Sequence, residues 1–70
     1  MKEEEKISKN IKMLIESSEK KNSQIIKELE VHHSVVYGYM RGDYLPGAIM
    51  IRKLCKVLGC TYEEILGKIE

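Results

Sequence analysis

NSQIIKELEVHHSVVYGYMRGDYLP, residues 22–46, holds two short apolar series with only a few residues between them. Ile25, Ile26 and Leu29 stand at helical spacing in the first, and Val35, Val36, Tyr39 and Met40 do so in the second. Glu30, Val31 and His32 leave room between them for a corner and little else. Helices this short do not stand alone, because closing a first turn fixes several dihedrals for one hydrogen bond. They persist by sharing a core, and Ile26, Leu29, Val31, Val36 and Tyr39 are the residues placed to supply it. The pattern predicts a helix starting near Asn22 or Ser23, either of which can cap it, and another from about His33 to Met40. Gly42 can take the left-handed conformation that closes the second helix. In so tight a corner the second helix keeps one side packed and the other protruding.

Toward the N-terminus, Ile7, Ile11, Leu14 and Ile15 fall on one face of a helix from about Glu4 to Ser17. The acidic run Glu3 to Glu5 suits its first turn, where negative charge meets the helix dipole favourably. Residues 17–23 contain no apolar side chain and form a connection. Toward the C-terminus, Tyr44 to Gly47 is a loop, with Pro46 placed to open the next helix. That helix carries Ala48, Ile51, Leu54, Cys55 and Leu58 and stops at Gly59. Thr61 and Glu64 have capping-box spacing, so a last short helix turns Ile65 and Leu66 inward and ends near Gly67. No strand-like alternation and no repeat is present. The expected fold is all-α, a compact five-helix bundle in a single domain.

A chain of 70 residues buries only about 60% of its extended surface, so pairing with a second copy is a natural remedy. The last helix (Tyr62, Ile65, Ile69) and the Tyr44-Leu45 loop are the expected contributors to that dimer. Twelve Lys and Arg against eleven Asp and Glu give a net charge of +1, without regional segregation. Composition therefore lacks the basic excess that often marks nucleic-acid binding. No apolar run approaches the ~20 residues of a membrane span, and the first residues do not read as a secretory leader. A cytoplasmic protein is expected.

Cys55 and Cys60 are five apart, a spacing that does not share a helix face, and read as small buried hydrophobes in a reducing compartment. His32 and His33 are adjacent and lack a Cys or carboxylate at ligand spacing, which argues against zinc. Tyr39 reads as core, and Tyr37 and Tyr44 as exposed, with no strand surface to stack single-stranded bases. No nucleophile, base and orienting group stand together, so no enzyme activity, cofactor or small-molecule substrate is expected.

The ordered set Ile11, Leu14, Ile25, Ile26, Leu29, Val31, Val36, Arg41-Gly42, Pro46, Leu54, Leu58-Gly59 and Thr61 to Leu66 resembles the helix-turn-helix domains of the Cro and CI phage repressors, the XRE family. The resemblance runs without a gap from about Ile7 to Leu66. It implies a lambda-repressor-like fold and a dimeric regulator of transcription that reads double-stranded DNA through helix 33–40. Asn22 stands where the family often has a Gln that bonds a phosphate, beside the free amides of a helix start. His33, Ser34 and Tyr37 take the exposed side of the recognition helix, Arg41 reaches phosphate or the minor groove, and Tyr44 lies on the loop beside the backbone. The implied DNA-binding set is Asn22, Ser23, His32, His33, Ser34, Tyr37, Gly38, Arg41 and Tyr44.

Several positions depart from that family pattern. Glu30 replaces the Gly usual in the turn and has to accept a positive φ or force a different turn, at a cost of about 1 kcal/mol. His32 stands where Ser or Thr usually caps, predicting a weaker cap. Gly38 replaces a long polar base reader, and Asp43 replaces a basic residue and repels phosphate. Ile15 and Met40 stand where many relatives pair an Arg with a Glu, an exchange that is often neutral for stability. These departures keep open a second role on the same fold: a protein-interaction module, antitoxin- or controller-like, with weakened or lost DNA binding.

Overall fold

The apolar periodicity of residues 7–15 becomes α1 (Glu3–Ser17), the first of five helices in the computed structural model, which describes residues 3–67. It is followed by α2 (Asn22–Leu29), α3 (His33–Arg41), α4 (Ala48–Leu58) and α5 (Tyr62–Leu66). The described residues contain no strand. Helix α1 packs on α3 and α5, while α2 packs on α4. Every helix gives at least one side chain to a single core of Ile11, Ile15, Ile25, Leu29, Val36, Tyr39, Leu54 and Ile65. Ile26 and Val31, expected to share that core, are half-buried and packed against it. The radius of gyration, 11.1 Å, is what a folded chain of this length should have, about 11 Å.

Two long-range polar contacts tie the helices together. The Asn10 side-chain amide donates to the Ile65 carbonyl at 3.0 Å, joining α1 to α5. Lys20, from the α1–α2 connection, donates to the Val57 carbonyl at 2.9 Å and to Glu28 at 3.0 Å. It thereby satisfies one of the carbonyls that the last turn of α4 leaves without an intrahelical partner.

The chain stops are set by backbone conformation. Glu30 adopts φ +59°, the one positive-φ residue other than glycine among those described, so the turn keeps its left-handed geometry and Glu30 bears the cost. Gly42 closes α3 at φ +83° and Gly59 closes α4 at φ +65°. Gly42 also lies close to Ser8, whose hydroxyl would be 3.3 Å from a Cβ at that position. Thr61 and Glu64 form both halves of the capping box.

Five local expectations are corrected. Lys21, in extended conformation, is the N-cap of α2; its carbonyl accepts from both Gln24 and Ile25 at 3.0 Å, which draws Asn22 and Ser23 into the first turn, where they do not cap. Pro46 is buried in the loop, and Gly47 is the N-cap of α4. Ile65 is fully buried against α1 and α4, so it is unavailable to a dimer surface, whereas Leu66 turns outward. Cys55 and Cys60 are half-buried instead of buried, because both sit at the partly open α4–α5 corner. Ile69 lies outside the described residues.

Candidate nucleic-acid interface

Three residues, Glu30 to His32, separate α2 from α3. Val36 and Tyr39 anchor α3 in the core, which leaves His33, Ser34, Tyr37 and Arg41 exposed along the rest of its surface. His33 and Tyr37, one turn apart, meet edge to face with ring centroids 6.1 Å apart. His32 stacks at a tilt on His33 at 4.2 Å. The aromatic row is continuous along the start of the helix.

His32 does cap α3, though by a long bond: its Nδ1 accepts from the Ser34 backbone N–H at 3.3 Å and lies 2.9 Å from the Ser34 hydroxyl. An accepting Nδ1 leaves the proton of the neutral ring on Nε2. Ser34 is thus partly engaged by its neighbour while still facing solvent.

Gly38 is buried, contrary to its expected place as an open position on the reading face. The cause is Tyr44, which folds back from the loop over α3. A Cβ at residue 38 would come within 2.5 Å of the Tyr44 Cζ and Oη atoms, so only glycine leaves a seat for the ring. The Tyr44 hydroxyl donates to the Ser34 carbonyl at 3.2 Å, and its ring meets Tyr39 edge-on at 5.5 Å. Tyr44 remains 48% exposed, so it both braces α3 and widens the surface beside it.

Arg41 and Asp43 form an exposed ion pair, with the Arg41 Nε and Nη2 both donating to one Asp43 oxygen at 3.1 and 2.9 Å. Such a pair contributes little to stability. Its effect is local: the one basic side chain on α3 is neutralised by an acid two residues on.

Asn22 and Ser23 are exposed at the start of α2, whose N-cap residue offers no side-chain hydrogen bond to the free amides. No side-chain hydrogen bond among the described residues links them to the α3 cluster. Ring contacts and hydrogen bonds thus link His32, His33, Ser34, Tyr37, Gly38 and Tyr44, whereas Arg41 pairs with Asp43 and Asn22 and Ser23 make no such link among the described residues. The Gly38–Tyr44 fit was missed in the sequence, although a mid-helix glycine followed by an aromatic beyond the turn is a signal for it.

Away from this patch, a shallow cavity of about 360 Å³ between α1 and the end of α3 is lined by both signs of charge, including Glu4, Lys9, Lys12 and Arg41. The Ser8 hydroxyl, buried beside it, has no hydrogen-bond partner. No group of three or more His, Cys, Asp or Glu among the described residues is placed to hold a metal ion. No helix among them is long and apolar enough to cross a membrane. No family model, curated protein or solved structure matches the chain significantly.

Proposed function

We propose that this chain is a sequence-specific, double-stranded DNA-binding regulator of transcription, a helix-turn-helix domain of the Cro and CI type. The observation that carries the reading is the unit of α2, a three-residue turn and α3, in which α3 is anchored by Val36 and Tyr39 and presents His33, Ser34 and Tyr37 outward. A helix held this way is suited to the major groove, with residues near its start against base edges. The uncapped start of α2, with Lys21, Asn22 and Ser23 exposed, supports a phosphate contact, because its free amides and dipole favour an anion. Phosphate contacts of that kind would fix the register, and His33, Ser34 and Tyr37 would read sequence. Two copies would bind two half-sites with their recognition helices about 34 Å apart.

One observation favours a second reading, the protein-interaction module. Asp43 occupies Arg41, so the α3 surface offers aromatic rings and no free cation. The two readings part in a selection of bound sequences from a random duplex pool, followed by titrations across salt. The regulator enriches a defined two-part site and shows a salt slope equivalent to about three to five phosphates per protomer. Asp43→Asn then releases Arg41, tightens binding to all duplexes alike and steepens the slope by about one phosphate. Equal affinity for selected and random duplex would overturn the regulator and leave the interaction module standing.

A further inference from the structure

Cys55 and Cys60 would stand on different faces of a continuous helix, yet the chain brings them together. Gly59 turns left-handed at φ +65°, and the Cys60 N–H then donates to the Cys55 carbonyl at 3.0 Å. That is the six-to-one closure of a Schellman-type helix end, in which the two residues joined by the bond commonly pack their side chains together. Here both are cysteines, so the two side chains that this closure sets beside each other both end in a thiol. Both are half-buried, which shields the pair without sealing it.

The backbone between the two cysteines and just after them is held. Lys20 binds the Val57 carbonyl within the last turn of α4, and the Thr61–Glu64 capping box fixes the chain immediately after Cys60. The two thiols are therefore presented to each other by ordered backbone. A helix end needs only small apolar side chains at these two places, and a facing thiol pair adds a chemistry that packing does not require.

We propose that Cys55 and Cys60 form a redox-active dithiol that closes to an intramolecular disulfide across the Gly59 turn, with a low-molecular-weight disulfide as oxidant. The Cys55 thiolate attacks one sulfur of the oxidant; the oxidant's S–S bond breaks, and its second sulfur leaves with the electron pair as a thiolate. The Cys60 thiol, giving its proton to that thiolate, then attacks the Cys55 sulfur and expels the other half of the oxidant. Two protein thiols are oxidised by two electrons, and the oxidant is reduced to two small thiols that carry away both protons. Cys60 acts second because burial first, and then its neighbour Cys55, push its thiol up to about 11. The closed form ties the end of α4 covalently to the segment that starts α5.

The test equilibrates the whole chain in mixtures of reduced and oxidised glutathione, in native buffer and in concentrated urea, with acid quenching, mass measurement and thiol counting. The expected native product is a monomer lighter by two hydrogens, with an equilibrium constant for closure about tenfold larger than in urea, because the fold has already brought the thiols together. Cys55→Ser and Cys60→Ser should instead collect a glutathione adduct on the remaining thiol. A native-to-urea ratio of one or less, or a native product made of adducts or intermolecular dimers, overturns the proposal. The wild-type comparison decides even where a variant fails to fold.

Discussion

The pairing of Gly38 with Tyr44 makes a prediction that neither residue makes alone. Alanine at a helix interior is favoured over glycine by about 1 kcal/mol. At residue 38 that gain requires ejecting the Tyr44 ring, which loses its edge-on contact with Tyr39 and its bond to the Ser34 carbonyl. An aromatic contact of this kind is worth about 0.5–1.5 kcal/mol, so the two effects nearly cancel. Gly38→Ala should therefore change stability by less than about 1 kcal/mol while releasing Tyr44, visible as loss of its near-ultraviolet dichroism. In a Tyr44→Ala background nothing is left to eject, and the same substitution should stabilise by about 1 kcal/mol. Urea denaturation of the four proteins measures the coupling, and strictly additive effects would refute the fit. The sequence made Gly38 visible as an anomaly but not its reason, because propensity describes a residue within its own helix and Tyr44 arrives from beyond the turn.

At the scale of the element, helices were legible where apolar spacing alone decides them, and less so where backbone conformation at a terminus decides. Ile7, Ile11 and Ile15 define α1 unaided. The start of α2 is different: Lys21, Asn22 and Ser23 are all polar, and Asn and Ser are the better caps, yet the cap goes to the residue whose carbonyl begins the hydrogen-bond ladder. Cys55 and Cys60 escaped a reading by helix faces because that rule ends where Gly59 reverses the backbone. The turn between α2 and α3 was readable to the extent that Glu30 was expected to stand in a glycine position, and it does so at φ +59°. Its side chain is exposed, so removing it forfeits little packing while relieving the left-handed strain. Glu30→Gly should stabilise the protein by about 0.5–1 kcal/mol, with Glu30→Val, β-branched at the same φ, less stable than the parent. Shifts in urea midpoint at unchanged denaturant dependence would establish both signs.

At the scale of the whole molecule, eight buried apolar side chains among the described residues hold five helices, and in so small a fold modest ionisation changes reach global stability. The relevant groups titrate in alkali. Burial first, and the nearby Cys55 next, push the Cys60 thiol up from an ordinary value of 9.0 to about 11, and Tyr39 is raised by burial and then by Tyr44. In both cases the folded protein holds its proton more tightly than the unfolded chain. The Cys60 share of this stability is fully present below about pH 9 and is lost as the pH rises through about 11, when the unfolded chain's thiol has already released its proton, and the Tyr39 share has the same sign. Cys60 is only half-buried, so solvent screening reduces its share to the order of 1 kcal/mol. Urea midpoints taken in the presence of a reductant at neutral pH and near the upper end of that interval should fall for the parent protein. They should fall less for Cys60→Ser, which retains only the Tyr39 contribution among the two. An equal fall in parent and variant would mean that the unfolded chain perturbs Cys60 as much as the fold does, and that burial of its thiol contributes nothing to stability.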